Sequence, residues 1–318
     1  MYANTPKVSV IVCTYNRANS LRDTLQALQR QVIPEGFVWE TVLVDNNSKD
    51  DTAKVAAEFQ NPGQSPYLKY FFEGVQGLSN ARNRGIAESQ GDFLIFTDDD
   101  VSPEPDWLAT LVEGIESNDC DGAGGWIGPD WEVPPPRWLT ERFYGFLAIR
   151  TDEGEPYIID AQWDPPFGAN MGFRRSVFDR LGGFDPQLGR KGSATIGGEE
   201  WDLFTRLIAS GGKVMYFPAA RVHHKVPGNR ATKAYFRRWR YEESRNQAVV
   251  YGFDGDRLIL GVPAYIFKQT LNAAWIALKA KFSGPEDNAF HREMIVWHFL
   301  GTISGLRGRY LREKSSSV

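Results

Sequence analysis

Three consecutive aspartates, Asp98, Asp99 and Asp100, directly follow an apolar run, "FLIFT". Adjacent like charges cost free energy unless a cation compensates them or water solvates them. In an extended segment alternate side chains face the same way, so we expect Asp98 and Asp100 to converge and Asp99 to point elsewhere. Two convergent carboxylates suit a hard divalent cation, Mn²⁺ or Mg²⁺, which also binds substrate phosphates. A fully solvated acidic turn is the alternative.

The first hundred residues alternate between strand-like and helix-like patterns. Strands are predicted at 8–12, around 38–44, at 67–72 and at 93–96, with helical patterns between them. Ser20 and Asp23 are a predicted capping pair for the first helix. This order predicts an α/β, Rossmann-like fold with a mixed, mostly parallel sheet flanked by helices.

Polar residues follow three of these strands, where the carboxyl ends of parallel strands would meet. Ligands of such sheets bind at that edge, so the three clusters predict one site. The first turn, "CTYNRANS", contains no glycine, which excludes the dinucleotide fingerprint and the P-loop. Instead, a tyrosine ring can stack on a base and an aspartate can accept a hydrogen bond from an N–H of that base. Arg82 can pair with a phosphate or with the base edge. A nucleoside diphosphate bridged by metal is the expected occupant.

Six segments resemble, in order and at similar spacing, the motifs of family 2 glycosyltransferases of GT-A fold. They are "VSVIVCTYNR", "VLVDNNSKDDT", "GLSNARNRGI", "FLIFTDDDV", "GANMGFRRSVFDRLGGFD" and "GGEEWDLFTRL". The resemblance covers about residues 7–225, and the joint occurrence of six motifs is far more specific than any one of them.

The resemblance implies a set of residues that hold the donor nucleotide and the metal. The predicted nucleotide contacts are Thr14, Tyr15, Asn16, Arg17, Asp45, Asn47, Arg82, Asp98 and Asp99. Asp100 would ligate Mn²⁺ or Mg²⁺, and Asp98 would touch the ribose or the metal-bound phosphate and is a second candidate ligand. Two adjacent histidines, His223 and His224, point to opposite faces of an extended chain, so one of them is a further candidate ligand, and which one stays open.

Family members invert the sugar carbon by direct displacement, with a carboxylate deprotonating the acceptor hydroxyl. The family commonly has Glu-Asp at this point, whereas this chain has Glu199-Glu200. Position favours Glu200 as the base, and Glu199 is the alternative. A helix start that favours acidic residues near its dipole would also explain the pair. Residues 165–173, "PPFGANMGF", are predicted as a strand with a glycine turn that lets the backbone approach the donor sugar or diphosphate. The predicted contacts to donor sugar or acceptor are Gly168, Asn170, Trp201 and Asp202.

The charges are distributed unevenly along the chain. Residues 221–318 contain 17 lysines and arginines against 8 acidic residues, a balance of +9, which leaves −13 in residues 1–220. We predict a catalytic domain at 1–228 and a basic helical extension at 229–318. The basic aromatic run 232–247 and the apolar segment 258–282 predict an anionic membrane surface as partner. Packing of these helices on the catalytic domain is the alternative, and the acidic remainder argues against nucleic acid.

Composition bounds the class of protein. Hydrophobic residues make up 42% and charged residues 24%, which excludes a disordered chain. Two distant cysteines exclude a disulfide framework, and neither a signal peptide nor a run of about 20 apolar residues is evident. We therefore predict a cytoplasmic protein. If it binds an anionic membrane surface, its expected position is peripheral, at the inner face of the cell membrane.

These observations predict a metal-dependent inverting glycosyltransferase. Its donor would be a nucleoside diphosphate sugar, with a UDP-sugar favoured, and its acceptor a lipid-linked or saccharide hydroxyl in exopolysaccharide, lipopolysaccharide or glycolipid synthesis. A nucleotidyltransferase acting on a sugar phosphate is one alternative, and it would favour a glycine-rich basic loop that the first turn lacks. A non-catalytic nucleotide-sugar-binding protein is the other, against which Asp100 and Glu200 speak.

Overall fold

The computed structural model describes residues 7–60, 66–160, 165–190, 197–253 and 257–315. The chain divides into two compact units. The first comprises Met1–Asp130 and Ala148–Lys225, and the second comprises Trp131–Leu147 and Val226–Val318. The longer segment of the second unit, Val226–Val318, starts close to the predicted boundary at 228, but the unit also includes 131–147, which we had assigned to the catalytic domain.

In its described residues, the first unit contains a nine-stranded sheet and six α-helices. Its strands are β1 (Val8–Thr14), β2 (Trp39–Asp45), β3 (Tyr67–Phe72), β4 (Phe93–Asp98), β5 (Val101–Pro103), β6 (Gly122–Trp131), β7 (Tyr157–Ile158), β8 (Met171–Arg174) and β9 (Val214–Val226). Its helices are α1 (Ala18–Gln29), α2 (Thr52–Phe59), α3 (Leu78–Glu88), α4 (Trp107–Ser117), α5 (Arg175–Leu181) and α6 (Glu199–Ala209).

The sheet has the order β3-β2-β1-β4-β8-β6-β9-β5, with β7 paired to β9. β1 pairs in parallel with β2 and β4, and β2 with β3, whereas β8 joins β4 antiparallel. The predicted α/β fold with a mixed, mostly parallel sheet is confirmed. The register places Thr14 beside Asp45 and Cys13 beside Asp98, so the three polar clusters do lie at one edge.

The inner parallel strands β1, β2 and β4 are buried almost throughout because both faces of the sheet are covered there. Every residue of β2 is buried, including Glu40, whose carboxylate accepts from the Ser9 hydroxyl at 2.7 Å. α1 buries Leu21, Leu25 and Leu28, the residues whose spacing predicted the helix. This two-sided burial holds the loops at the carboxyl edge in place.

The start of α1 differs from the prediction. The helix begins at Ala18, so Ser20 lies in its first turn and Asp23 in its second, and they are not the capping pair. Asp50, which follows β2, accepts from the Ala18 N–H at 3.0 Å and also from the Thr52 N–H at 3.1 Å, the latter opening α2. One carboxylate from a neighbouring loop thus satisfies the first donors of two helices, a contact that local sequence spacing does not contain.

The second unit is helical. It contains α7 (Lys233–Tyr251), α8 (Ala264–Ser283), α9 (Glu286–Ser315) and a hairpin of β10 (Leu258–Ile259) and β11 (Val262–Pro263), and α9 packs on both α7 and α8. An aromatic cluster explains why 131–147 belongs here: the ring of Trp138 lies 5.3 Å from that of Phe236 and 4.7 Å from that of Phe290. In the part of the chain that the structure describes, no helix is long and apolar enough to span a bilayer.

The basic aromatic run on α7 is not an open cationic face. Arg237 pairs with Glu293 at 2.6 Å, and Arg238 and Arg240 pair with glutamates one turn further along α7. Phe236 is fully buried. For this run the packing alternative describes the structure, because arginines that already neutralise carboxylates add little net positive charge to a surface.

Candidate active site

Two asparagines shape the loops that follow β1 and β2. Asn16 and Asn47 both have left-handed backbone conformations, with φ of 53° and 69°. Asparagine tolerates this region better than other side chains. The Asn16 N–H donates to the Ser48 hydroxyl at 2.9 Å, and its side-chain oxygen accepts from the Lys49 N–H at 2.7 Å. The two loops are therefore joined, and the Asn16 oxygen is already used within the protein.

Asp45 lies at the end of β2 and is buried. Its Oδ1 accepts from the Ser48 N–H at 2.8 Å, and its Oδ2 accepts from the Tyr70 hydroxyl at 2.9 Å. Burial, and then this bond to Asp45, raise the pKa of Tyr70 to about 12. Our sequence reasoning missed Tyr70. The strand "YLKYFF" can be predicted from the sequence, but the pairing of β3 with β2, which brings Tyr70 to Asp45, cannot.

The aspartate triplet is arranged differently from the extended alternation that we expected. β4 ends at Asp98, and Asp99 and Asp100 form a turn before β5, so the period of two fails at the triplet itself. Arg17 lies between the last two, 3.4 Å from Asp99 Oδ1 and in direct contact with Asp100 Oδ2. Burial, and then the charge of Asp100, raise the pKa of Asp99 to about 7. The solvated acidic turn is wrong, because Asp99 and Asp100 are buried.

The two adjacent histidines have different partners. His224 is buried opposite Val101 in the β5–β9 register, and its Nε2 lies 3.2 Å from Asp100 Oδ1. His223 lies on the other face, where its Nε2 is 3.0 Å from Glu104 Oε1 and its ring packs on Trp126. Of the two candidates, the structure brings His224 to the aspartate cluster and leaves His223 outside it.

Asp98, Asp100 and His224, three of the predicted metal ligands, carry side chains of types that a divalent cation can bind. Burial raises the pKa of Asp98. The charge of Arg82 opposes this rise and the charge of Asp100 adds to it, so the two carboxylates repel each other electrostatically. Two carboxylates and an imidazole are ligands that Mn²⁺ accepts. Within the described ranges no three acidic, histidine or cysteine side chains are grouped so that they could hold a metal ion, and Asp100 contacts Arg17.

Arg82 links the triplet to the predicted base. This buried side chain of α3 donates from Nη1 to Glu199 Oε1 at 3.0 Å and from Nη2 to Glu200 Oε1 at 3.1 Å. Its Nη2 also lies 3.8 Å from Asp98 Oδ1. We predicted a nucleotide contact for Arg82, and in this structure its guanidinium is engaged by carboxylates of the site itself.

The two glutamates at the start of α6 differ in exposure and in pKa. The Glu199 side chain is 2% exposed and that of Glu200 is 21% exposed. Burial, and then the charge of Glu200, raise the pKa of Glu199 to about 8. Burial also acts to raise the pKa of Glu200, but the charge of Arg82, with hydrogen bonds from the backbone and from Arg82, outweighs it and lowers the pKa. Glu200 is thus the ionised and accessible member of the pair.

The backbone at Gly168 lies close to Arg82 and Glu200. A Cβ at this position would lie 2.0 Å from Arg82 Nη2 and 2.5 Å from Glu200 Oε1. Glycine is therefore required for Arg82 to bridge the glutamates. We expected the glycine turn to admit the donor, and in the structure it admits Arg82 and Glu200.

The three remaining predicted contacts to sugar or acceptor differ in their surroundings. Asn170 is completely buried, accepts from Trp107 Nε1 at 2.9 Å and donates to the Ala220 carbonyl at 2.8 Å, so the prediction that it contacts a sugar is wrong. Asp202 pairs with Arg206 at 2.8 Å on the outside of α6. Trp201 is 40% exposed, as a sugar contact would require.

The comparison with known families identifies the chain. Residues 9–182, more than half of its length, match the family model described as glycosyl transferase family 2. The chain belongs to this family. A similar relative is the glucosyl-dolichyl phosphate glucuronosyltransferase of Haloferax volcanii, 30% identical over 224 residues, which are 69% of each chain. Another is the succinoglycan biosynthesis protein ExoM of Rhizobium meliloti, 27% identical over 316 residues, 96% of this chain and 94% of ExoM.

The fold of this glycosyltransferase is also found in solved structures. The mannosyltransferase PcManGT from Pyrobaculum calidifontis, solved with GDP-Man and Mn²⁺, has a TM-score of 0.62 at 20% identity and covers 96% of this chain and 89% of its own. GalNAc-T7, solved with UDP, GalNAc and Mn²⁺, has a TM-score of 0.54 at 20% identity, and the match covers 99% of this chain and 57% of the GalNAc-T7 chain. The GT-A fold and the transferase class are confirmed, and both alternatives, a nucleotidyltransferase and a non-catalytic binder, are set aside.

Proposed function

We propose that this glycosyltransferase is a metal-dependent inverting enzyme that moves a sugar from a nucleoside diphosphate sugar to the hydroxyl of a lipid-linked glycan. The observation that carries the proposal is the bridge made by Arg82. One guanidinium contacts Glu200 and lies 3.8 Å from Asp98, so a carboxylate suited to a metal and a carboxylate suited to a base belong to one network.

We assign the metal to Asp98, Asp100 and His224. When bound, Mn²⁺, or Mg²⁺ in its place, would stabilise the negative charge of the departing diphosphate. Asp100 would bind the metal through Oδ2, the oxygen that contacts Arg17 in the structure. The Arg17 side chain is long enough to turn toward a phosphate when the metal takes this oxygen. His224 is held beside Asp100 by the β5–β9 pairing.

We assign the general base to Glu200. Its Oε1 accepts from Arg82, and the other oxygen, Oε2, would take the proton of the acceptor hydroxyl. The acceptor oxygen then bonds to the anomeric carbon as the bond from that carbon to the diphosphate oxygen breaks, which inverts the sugar carbon. Glu199 would stay protonated near neutral pH, because its pKa of about 8 lies above the pH, and would hold Arg82 in place.

The donor and acceptor are proposed from chemistry and from the names of relatives. Tyr15 follows Thr14, which lies opposite the buried Asp45 in the β1–β2 register, and it is the candidate for base stacking. We favour a UDP-sugar as donor. One relative is named for a dolichyl phosphate substrate and another for a polysaccharide pathway. These names support a lipid-linked acceptor, with a free saccharide as the alternative, and a cytoplasmic enzyme positioned at the inner face of the cell membrane.

A thermal-shift screen tests the donor and the metal together. UDP-, GDP- and dTDP-sugars are added with Mn²⁺ or Mg²⁺ to wild type, to Asp100→Asn and to the exposed control Asp51→Asn. A ligand that binds only the native state raises the unfolding temperature. We expect a UDP-sugar with Mn²⁺ to raise it in wild type and in the control, and the metal-dependent part of the rise to be lost in Asp100→Asn. Equal shifts with and without a chelator would contradict the proposal.

A further inference from the structure

α8 exposes a continuous apolar stripe to solvent. Leu271, Trp275, Leu278 and Phe282 are between 56% and 81% exposed and recur at the spacing that places side chains on one face of a helix. The buried residues of α8 are Ile266, Ala273 and Ala280, roughly half a turn away from the stripe. The stripe is therefore not the face that packs within the second unit. Large apolar side chains gathered on one exposed face indicate a binding surface.

The charges of α8 are of one sign. The helix carries Lys268, Lys279 and Lys281 and contains no aspartate or glutamate. By helical geometry Lys268 and Lys279 lie on one side of the stripe and Lys281 on the other. The Lys279 ammonium is 3.5 Å from the centre of the Trp275 ring. An apolar stripe between lysines, with a tryptophan at its edge, is the pattern of a helix that lies in a membrane interface.

The hairpin that precedes α8 adds a second exposed apolar element. Leu258, Ile259 and Leu260 are all exposed, with Leu260 at the tip. Leu260 has a φ of 52° and Gly261 a φ of 80°. A two-residue turn with both φ positive favours asparagine, aspartate or glycine, so leucine at its first position is strained. Because Leu260 is largely exposed, its side chain buries little apolar surface within the unit, and insertion into an apolar phase would bury it.

We propose that the α8 stripe and the tip of the β10–β11 hairpin lie in the surface of a bilayer that contains anionic lipid. This deepens the proposed function, since it names the surface on which a lipid-linked acceptor would be met. The flanking lysines select this occupant over a second copy of the chain, because two α8 helices facing each other would bring lysines together without a carboxylate on either helix. Our sequence analysis placed the membrane contact on both 232–247 and 258–282, and the proposal confines it to the second of these segments, which contains the hairpin and α8.

The test measures vesicle binding directly and needs no turnover. The full chain is sedimented with vesicles of phosphatidylcholine alone and with vesicles that contain phosphatidylglycerol. Variants are Leu271→Gln/Phe282→Gln for the stripe, Lys268→Gln/Lys279→Gln/Lys281→Gln for the charges, and Val32→Gln, an exposed apolar residue of the first unit, as control. Thermal unfolding of each variant shows that it folds.

We expect wild type and Val32→Gln to bind the anionic vesicles. The stripe variant should bind more than about tenfold more weakly, because two large apolar side chains no longer enter the interface. The lysine variant should lose roughly 10²-fold on anionic vesicles only, at about tenfold or less per charge. Absence of vesicle binding by folded wild type would overturn the proposal. Binding unaffected by the stripe variant would also overturn it, as would concentration-dependent dimerisation that the stripe variant abolishes. Donor binding in the thermal-shift screen is unaffected by any of these results, so the two proposals fail separately.

Discussion

Arg82 is the residue on which the arrangement of the site depends. It is buried among Glu199, Glu200 and Asp98, and its guanidinium stacks 5.3 Å from the centre of the Phe184 ring. A buried arginine needs carboxylate partners, and its rigid fork sets where they lie. The three carboxylates come from β4 and from α6, so their relative position follows from this one side chain.

Gly168→Ala tests that dependence at a single atom. The added Cβ would lie 2.0 Å from Arg82 Nη2 and 2.5 Å from Glu200 Oε1, so at least one of these two hydrogen-bonded side chains has to move. We expect turnover of the donor to fall at least about tenfold and the unfolding free energy to fall by about 1–3 kcal/mol, the usual cost of overpacking. Kinetics of nucleoside diphosphate release and thermal unfolding measure the two effects.

Gly145→Ala is the matched control for this substitution, since a Cβ there would meet nothing within 4 Å. It should leave both measurements unchanged. Full turnover in Gly168→Ala would show that the Arg82 bridge is not needed for the reaction.

Some choices between neighbouring residues could not be made from sequence. Glu199 and Glu200 have the same side chain, and only burial and the two bonds of Arg82 distinguish them. His223 and His224 were predicted to face opposite sides, and the β5–β9 register decided which side meets Asp100. Asn170 was misjudged because its three buried partners come from α4, β6 and β9, far away in the chain.

Among the elements, α7 and α9 form the tightest pair of the second unit. A Cβ on Gly301 would lie 2.3 Å from the Tyr241 carbonyl oxygen, and one on Gly305 would lie 2.3 Å from that of Arg245. Two glycines four residues apart on α9 therefore let the helix backbones meet. A glycine inside a helical pattern, with no turn to make, is the sequence signal that could have predicted this contact.

Gly305→Ala should destabilise the second unit although alanine favours helix formation. The methyl group would press on the backbone of α7, which cannot give way as a side chain can, and we expect a loss of about 1–3 kcal/mol. Chemical denaturation followed by circular dichroism measures it.

Gly308→Ala on the same helix separates packing from helix propensity. Nothing lies within 4 Å of a Cβ there, so alanine should stabilise by about 0.5–1 kcal/mol. Stabilisation by both substitutions would contradict the close contact of α7 and α9.

The elements of the first half were readable because their signals are local. Alternating apolar strands and amphipathic helices predicted β1 to β4 and α1 to α3. β5, β6 and β7 escaped prediction because they are short or glycine-rich and are defined by antiparallel partners far along the chain. The strand expected in "PPFGANMGF" is present as β8, four residues long.

For the whole molecule, the composition indicated two parts with different charge, and the contacts give two units. What the sequence did not contain is the return of 131–147 to the second unit through the aromatic cluster of Trp138, Phe236 and Phe290. Nor did net charge distinguish α7, where arginines are paired with glutamates, from α8, where lysines flank an exposed apolar stripe. Pairing within a fold determines which charges reach a partner.

The most direct test of the whole account compares Glu200→Gln with Glu199→Gln. Turnover is measured as nucleoside diphosphate released from the donor with Mn²⁺, and donor binding is measured as the ligand-induced rise in unfolding temperature. Glutamine keeps the size of the side chain and an oxygen for Arg82, but it cannot take the acceptor proton. Glu200→Gln should bind the donor as wild type does and lose about 10²–10⁴-fold in turnover, whereas Glu199→Gln should stay within about tenfold. The larger loss in Glu199→Gln, or unchanged turnover in Glu200→Gln, would contradict the assignment of Glu200 as the base.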